Sequence, residues 1–119
     1  MAKQHICLFS EKTYPDIVSI EGDVTIYNGA TAPKLKFING DATLFFGAKV
    51  PNLKVINGNV DIFEEVDASN LKVIKGNVSI YPGADLPKLE TIGGDVYINT
   101  KQGLCAPNLK YIGGKVYIA

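Results

Sequence analysis

Hydrophobic positions recur along this chain with a beat of about 18 residues rather than with the period of a helix. An apolar-x-apolar triplet follows each of Gly22, Gly40, Gly58, Gly76, Gly94 and Gly114: Val24/Ile26, Ala42/Leu44, Val60/Ile62, Val78/Ile80, Val96/Ile98 and Val116/Ile118. Four of the steps between these glycines are 18 residues long and one is 20. Stepping back by 18 from the first triplet reaches Ile6 and Leu8, so the opening segment is one more rung. Ahead of each glycine stand Ile17, Leu35, Leu53, Leu71, Leu89 and Leu109, and three residues later Ile20, Ile38, Ile56, Ile74, Ile92 and Ile112. Proline keeps the same time at Pro15, Pro33, Pro51, Pro87 and Pro107, with Ser69 in the remaining slot. Such fixed-period self-similarity is the mark of a repeat architecture.

Each coil can be read from its residues. Period-2 alternation after the glycine predicts a short strand with Val and Ile turned inward, where β-branched side chains pack well. Asn39-Gly40, Asn57-Gly58 and Gly93-Gly94 predict turns that need a positive φ, and the prolines predict extended corners. Ala30/Ala32, Ala48/Val50, Val66/Ala68 and Ala84/Leu86 supply a second inward face. The third face differs, because Lys36, Lys54, Lys72 and Lys110 break its alternation; the spacing Leu35-x-x-Ile38 predicts a bent segment there. One coil cannot bury this many apolar side chains alone, whereas stacked coils can. Helix is excluded by the glycine or proline in every short window and by the missing 3.6 period. The expectation is an all-β chain: a single β-solenoid (β-helix) domain over residues 1–119, with 18-residue coils in six to seven rungs. The rule of right-handed crossover between parallel strands favours a right-handed coil, although an apolar or small residue at every sixth position also matches the left-handed hexapeptide helix.

The motif Leu-Lys-x-Ile-x-Gly-[Asp/Asn]-Val-x-Ile, as in Asn52 to Ile62 and Asn108 to Ile118, resembles the repeats of receptor L domains. It is more similar still to the leucine-rich-like Ala-Pro-x-Leu-x-x-Ile-Gly-Gly repeats of bacterial and phage proteins, for which Gly83 to Ile98 is the best example. The resemblance spans nearly the whole chain and identifies a building plan. From receptor L domains it implies a right-handed β-helix that recognises ligands by its surface, without catalysis. The coils here are shorter, the cysteines of those domains are missing and no export signal is present, so an extracellular role is not carried over. Bactofilin-type polymerising β-helices share a similar coil length but not this motif.

Composition narrows the classes further. Twelve basic residues balance twelve acidic ones in 119 residues, so no global field draws the chain to nucleic acid or an anionic membrane. No apolar run is long enough for a signal peptide or a membrane span, which points to the cytoplasm. Cys7 and Cys105 would lie about five rungs, roughly 25 Å, apart, too far for a disulfide. Free thiols suit a reducing compartment. Asn77-Val78-Ser79 fits the glycosylation pattern only by chance in such a chain. His5 is the single histidine, and its neighbour Cys7 has no third group to orient a nucleophile. No phosphate loop, metal cluster or dinucleotide fingerprint is present, so neither an enzyme, a metal nor a cofactor is expected.

The chemistry of the chain therefore lies on its surface. Phe9, Tyr27, Phe45, Phe63 and Tyr81 form an outward aromatic column, and Tyr97 and Tyr117, two positions earlier in their coils, continue the stripe. Stacked rings would stabilise a thin solenoid by ~0.5–1.5 kcal/mol per pair. Five half-exposed rings would also leave about 400–500 Å² of contiguous apolar surface, the size at which a patch marks an interface. The lysine column, broken by Glu90 and flanked by Lys34 and Lys88, reads as a solvated face; nucleic-acid binding through it is the third-ranked use. Asp61, Glu64, Glu65 and Asp67 surround Phe63 with carboxylates and suggest an acidic contact patch. Asp23, Asp41, Asn59, Asn77 and Asp95 predict side-chain bonds along the turn stack.

The leading expectation is a non-catalytic module that binds a partner protein through the aromatic face. Its size is consistent with a phage or mobile-element inhibitor that occludes a host protein. The alternative is a structural solenoid that self-assembles. The last rung, Lys115 to Ala119, stops in mid-strand with no cap beyond it, so Val116, Tyr117 and Ile118 predict a homodimer paired along the C-terminal edge.

Overall fold

Among the residues that the computed structural model describes (5–83, 86–99 and 106–118), thirteen short strands alternate between two parallel sheets. The first coils carry β1 (His5–Leu8), β2 (Ser19–Glu21), β3 (Asp23–Ile26), β4 (Phe37–Asn39), β5 (Ala42–Leu44), β6 (Val55–Ile56) and β7 (Val60–Ile62). The later ones carry β8 (Val73–Ile74), β9 (Val78–Ile80), β10 (Thr91–Ile92), β11 (Val96–Ile98), β12 (Tyr111–Ile112) and β13 (Val116–Ile118). Odd-numbered strands form a seven-stranded sheet in the order β1-β3-β5-β7-β9-β11-β13, and even-numbered strands a six-stranded sheet. Register is that of the repeat: Val24 pairs with Ala42, Ala42 with Val60, and across the longer step Val96 with Val116. A third side is held by single parallel bridges linking Thr13, Thr31, Lys49 and Asp67. This is a β-solenoid, and among the described residues it has no helix.

The inward columns are those that periodicity marks. Ile26, Leu44, Ile62, Ile80 and Ile98 are buried behind the first sheet, and Ile38, Ile56, Ile74 and Ile92 behind the second. Ala30/Ala32, Ala48/Val50, Val66/Ala68 and Leu86 fill the third side; Ala84 lies outside the described residues. Each fully buried Leu or Ile stabilises the stack by roughly 1.5–3 kcal/mol. No polar or charged side chain is buried among the described residues. The free thiol of Cys7 is half-buried on β1, and Cys105 lies outside the described residues.

The glycine beat has a different cause from the expected one. Positive φ is found at Gly22, Gly29, Gly47 and Gly83, but not at Gly40, Gly58, Gly76, Gly94 or Gly114. Those five sit where one coil's backbone touches the next: a Cβ on Gly76 would lie 2.6 Å from the Gly58 carbonyl oxygen. Close approach between rungs, not turn conformation, excludes a side chain there.

The proline corner also differs, being a β-turn rather than an extended segment. The Leu53 amide donates to the Val50 carbonyl at 3.1 Å across Pro51-Asn52, with equivalent bonds at Leu35, Leu71, Leu89 and Leu109. Proline pre-sets φ for the second position of such a turn. Asn52 and Asn70 then donate their side-chain amides to the carbonyls of Pro33 and Pro51, each at 2.6 Å.

The bent segment is present on the second sheet, where neighbouring amides share one carbonyl. Lys54 and Val55 both donate to the Lys36 carbonyl (2.8 and 3.2 Å), and Lys72 and Val73 both donate to the Lys54 carbonyl (2.9 and 3.1 Å). Register stays one to one there, Phe37 with Val55 and Val55 with Val73, so the bend lies in the shared carbonyl and leaves two consecutive side chains outward.

Candidate functional site

Strand alternation places the aromatic column on the outer face of the seven-stranded sheet. Burying Ile26, Leu44, Ile62 and Ile80 obliges Tyr27, Phe45, Phe63 and Tyr81 at the strand ends to face outward. These four rings form one stack. Centroid separations are 5.6 Å for Tyr27–Phe45, 5.0 Å for Phe45–Phe63 and 4.4 Å for Phe63–Tyr81, with interplanar angles of 14°, 20° and 8°. Phe9 heads the column, 57% exposed, with the Lys12 ammonium 5.9 Å from its ring centroid. Its backbone amide donates to the Tyr14 hydroxyl at 2.8 Å.

Tyr97 and Tyr117 form a second stack, 4.9 Å apart and 9° from parallel. In register Tyr97 lies beside Ser79, while Asn99 takes the place that Tyr81 holds one coil earlier, its amide bonded to the Ile80 carbonyl. The stripe is thus two offset ladders on one face rather than a single column.

Stacking decides what this face presents. Within the four-ring stack each ring covers its neighbour's π-face, and ring edges point to solvent. A sugar or a nucleobase stacks on an open face, so the ladder is poorly shaped for either. An edge-on apolar ridge is instead shaped for side chains of another protein. Because Phe45, Phe63 and Tyr81 are half-buried, the ridge exposes on the order of 300 Å², at the lower end of patches that mark interfaces.

Phe46, next to Phe45 in the chain, is 49% exposed in the turn that follows the ladder. Sequence periodicity passes over it because it lies in the turn Phe45-Phe46-Gly47-Ala48, closed by the Ala48 amide on the Phe45 carbonyl at 3.0 Å. The doubled aromatic Phe45-Phe46 just before the Gly-Ala corner is the signal that could have revealed it.

The carboxylates of the fourth coil wrap around a corner instead of converging. Asp61 lies beside Thr43 and Ser79 on the first sheet, Glu64 and Glu65 occupy the turn, and Asp67 lies on the third side. The Asp67 carboxylate accepts the Ser69 amide at 3.3 Å. Among the described residues no group of three or more His, Cys, Asp or Glu is placed to hold a metal ion.

The lysine column is a ladder in which Lys36, Lys54, Lys72, Glu90 and Lys110 follow one another by backbone bonds of 2.8 to 2.9 Å. Beside it runs an outward column that the sequence reading missed, Phe37, Val55, Val73 and Tyr111, with Thr91 among them. The Leu-x-x-Ile spacing carries that signal, since it leaves two residues outward rather than one.

The Asp/Asn column behaves as expected. Asp23 accepts the Asp41 amide, Asp41 that of Asn59, Asn59 that of Asn77 and Asn77 that of Asp95, all at 2.7 to 2.8 Å. His5 shares a 2.9 Å hydrogen bond with the Thr25 hydroxyl. No helix among the described residues is long and apolar enough to cross a membrane. Compared with protein-family models, curated proteins and solved structures, the chain matches none of them.

Proposed function

We propose that this chain is a non-catalytic protein-binding module whose contact surface is the aromatic ridge of the seven-stranded sheet, centred on Phe45, Phe46 and Phe63. The observation that carries the reading is the outward four-ring stack, which Phe46, 49% exposed and next to Phe45 in the chain, follows at the adjoining turn. Isolated exposed hydrophobics are ordinary, whereas a contiguous aromatic ridge with a charged rim has the composition of an interface centre. Asp61, Glu64 and Glu65 supply that rim. The resemblance of the repeat to receptor L domains, which recognise ligands by surface, supports the same reading. The similarity to leucine-rich-like repeats of bacteria and phages fits a small inhibitor that occludes a host protein. A cytoplasmic site of action accords with the free thiol of Cys7.

The test compares the wild-type chain with Phe46→Asp as immobilised baits in a bacterial lysate, with quantitative mass spectrometry of what each retains. A protein enriched by the wild type and lost with Phe46→Asp is expected. Identical retention by the two baits, both folded by circular dichroism, would overturn the assignment of this face.

A further inference from the structure

Two parallel columns run down the outer face of the six-stranded sheet. One is Val18, Lys36, Lys54, Lys72, Glu90 and Lys110, each amide after the first bonded to the preceding carbonyl at 2.8 to 2.9 Å. The other is Ser19, Phe37, Val55, Val73, Thr91 and Tyr111, paired in register. Because the two outward residues of a coil are consecutive, an ammonium group and an apolar side chain stand together at Lys36-Phe37, Lys54-Val55, Lys72-Val73 and Lys110-Tyr111. The four lysines are exposed. Val18 is 47% exposed, Phe37 41% and Tyr111 59%, with Val55 and Val73 half-buried between them. Charge on this sheet is one-sided: Lys36, Lys54, Lys72, Lys75 and Lys110 stand against Glu21 and Glu90. The carboxylates of Asp61, Glu64, Glu65 and Asp67 lie on other sides of the solenoid. A net charge of zero over the chain thus conceals a basic, apolar face.

We propose that this face is a second docking surface, separate from the aromatic ridge, and that its occupant is an acidic amphipathic α-helix of another protein lying along the solenoid axis. Charge complementarity sets the chemistry: carboxylates meet the lysine column while apolar side chains meet Phe37, Val55 and Val73. Spacing sets the shape. Rungs repeat at ~4.8 Å and helical turns at ~5.4 Å, so an axis-parallel helix offers one acidic and one apolar residue per rung and drifts by only ~2 Å over four rungs. Lysine's flexible four-carbon stem follows that drift. An extended strand along the same axis repeats its side chains at ~6.6 Å and loses a whole rung over that distance. From Phe37 to Tyr111 the apolar column is one residue wide and about 19 Å long, the footprint of a rod of about 13 helical residues rather than of a bilayer plane. Glu90 interrupts the ladder, which a helix can answer with one neutral or basic residue and a uniformly anionic surface cannot.

The probe is a lactam-stapled helical peptide of about 16 residues, with leucines recurring at i, i+4 and i+7 and glutamates along one flank. Fluorescence anisotropy with the wild-type chain should show saturable binding, and a scrambled peptide of the same composition should bind at least about tenfold more weakly. Lys54→Glu/Lys72→Glu should weaken the stapled peptide at least about tenfold and instead bind its lysine-for-glutamate counterpart. Lys12→Glu/Lys49→Glu, the same change of charge away from this face, should bind the probe as the wild type does. All four substituted lysines are exposed, so both variants should keep the wild-type circular dichroism. Several results would each overturn the inference: no saturable binding by the wild type, equal binding of the scrambled peptide, or an affinity equally affected by the two double variants. So would a Lys54→Glu/Lys72→Glu chain that fails to take up the basic peptide, or a wild-type chain that prefers phosphatidylserine vesicles to the acidic one.

Discussion

Glu65 and Gly83 occupy the same corner of successive coils and share a left-handed backbone, with φ of 57° and 84°. Gly29 and Gly47 hold that corner in earlier coils, both at 71°, and Glu11 holds it in the first at 58°. A side chain in this conformation costs ~1–2 kcal/mol, which glycine avoids. Glycine in turn loses more chain entropy on folding, by roughly 0.5–1 kcal/mol. Glu65→Gly should therefore raise stability by up to about 1 kcal/mol in chemical denaturation. Glu65→Val should lower it by about 1 kcal/mol or more, because branching at Cβ worsens the same clash. A Glu65→Gly chain less stable than wild type would show that the carboxylate makes a compensating contact.

The two sets of glycines should respond differently to a side chain. Gly47 has positive φ but room, the nearest atom to an added Cβ being the Gly29 nitrogen at 3.8 Å. Gly76 has no positive φ and no room, with the Gly58 carbonyl oxygen 2.6 Å away. Gly47→Ala is expected to lose about 1 kcal/mol, and Gly47→Asn less, since Asn tolerates the left-handed region. Gly76→Ala should lose about 3 kcal/mol and Gly76→Asn at least as much, because the coils must part to admit any Cβ. Urea midpoints of the four variants check this ordering; equal losses at both positions would contradict it.

What the sequence made legible was whatever repeats with the coil. Inward columns such as Leu35-Leu53-Leu71 and the Asp23-to-Asp95 ladder follow from residue type at a fixed spacing, because burial and side-chain bonding both act between equivalent positions. The causes of the glycine and proline beats were not legible. Asn-Gly is equally at home in a positive-φ turn and in a close contact, and only the Gly58–Gly76 approach separates the two. The outward Phe37, Val55 and Val73 were hidden because the bend at the shared Lys36 and Lys54 carbonyls interrupts the two-residue alternation used to assign faces. Phe46 was hidden for a related reason: it stands in a turn, where periodicity says nothing of direction.

The lysine ladder gives a prediction about nucleic acid. Adjacent lysines one rung apart, ~4.8 Å, repel by only about 0.9 kcal/mol in water, and screening reduces this further. Such a column persists without a polyanion to neutralise it. With Glu90 inside the ladder and a net charge of zero over the chain, few counterions would be released on binding DNA or RNA. Gel shifts at moderate salt should show no submicromolar complex, and Lys54→Glu/Lys72→Glu should change nothing. A complex that weakens steeply with salt and is lost in that double variant would make the lysine face a site.

Phe63 and Phe46 separate the two uses of the aromatic face. Phe63 lies between Phe45 and Tyr81 at 5.0 and 4.4 Å, so Phe63→Ala removes two ring contacts worth ~0.5–1.5 kcal/mol each, together with the area its ring buries. A loss of about 2–3 kcal/mol in folding stability is expected. Phe46 stands in the turn after Phe45 and is 49% exposed, so Phe46→Ala should alter stability by less than about 0.5 kcal/mol. The binding reading predicts the opposite order for partner retention. Phe46→Ala should weaken capture at least tenfold while the melting curve stays in place. Phe63→Leu, which keeps apolar bulk but breaks the ring stack, should lower stability and spare much of the binding. If retention instead followed stability across all three variants, the ladder would be a structural device and the contact surface would have to lie elsewhere on the solenoid.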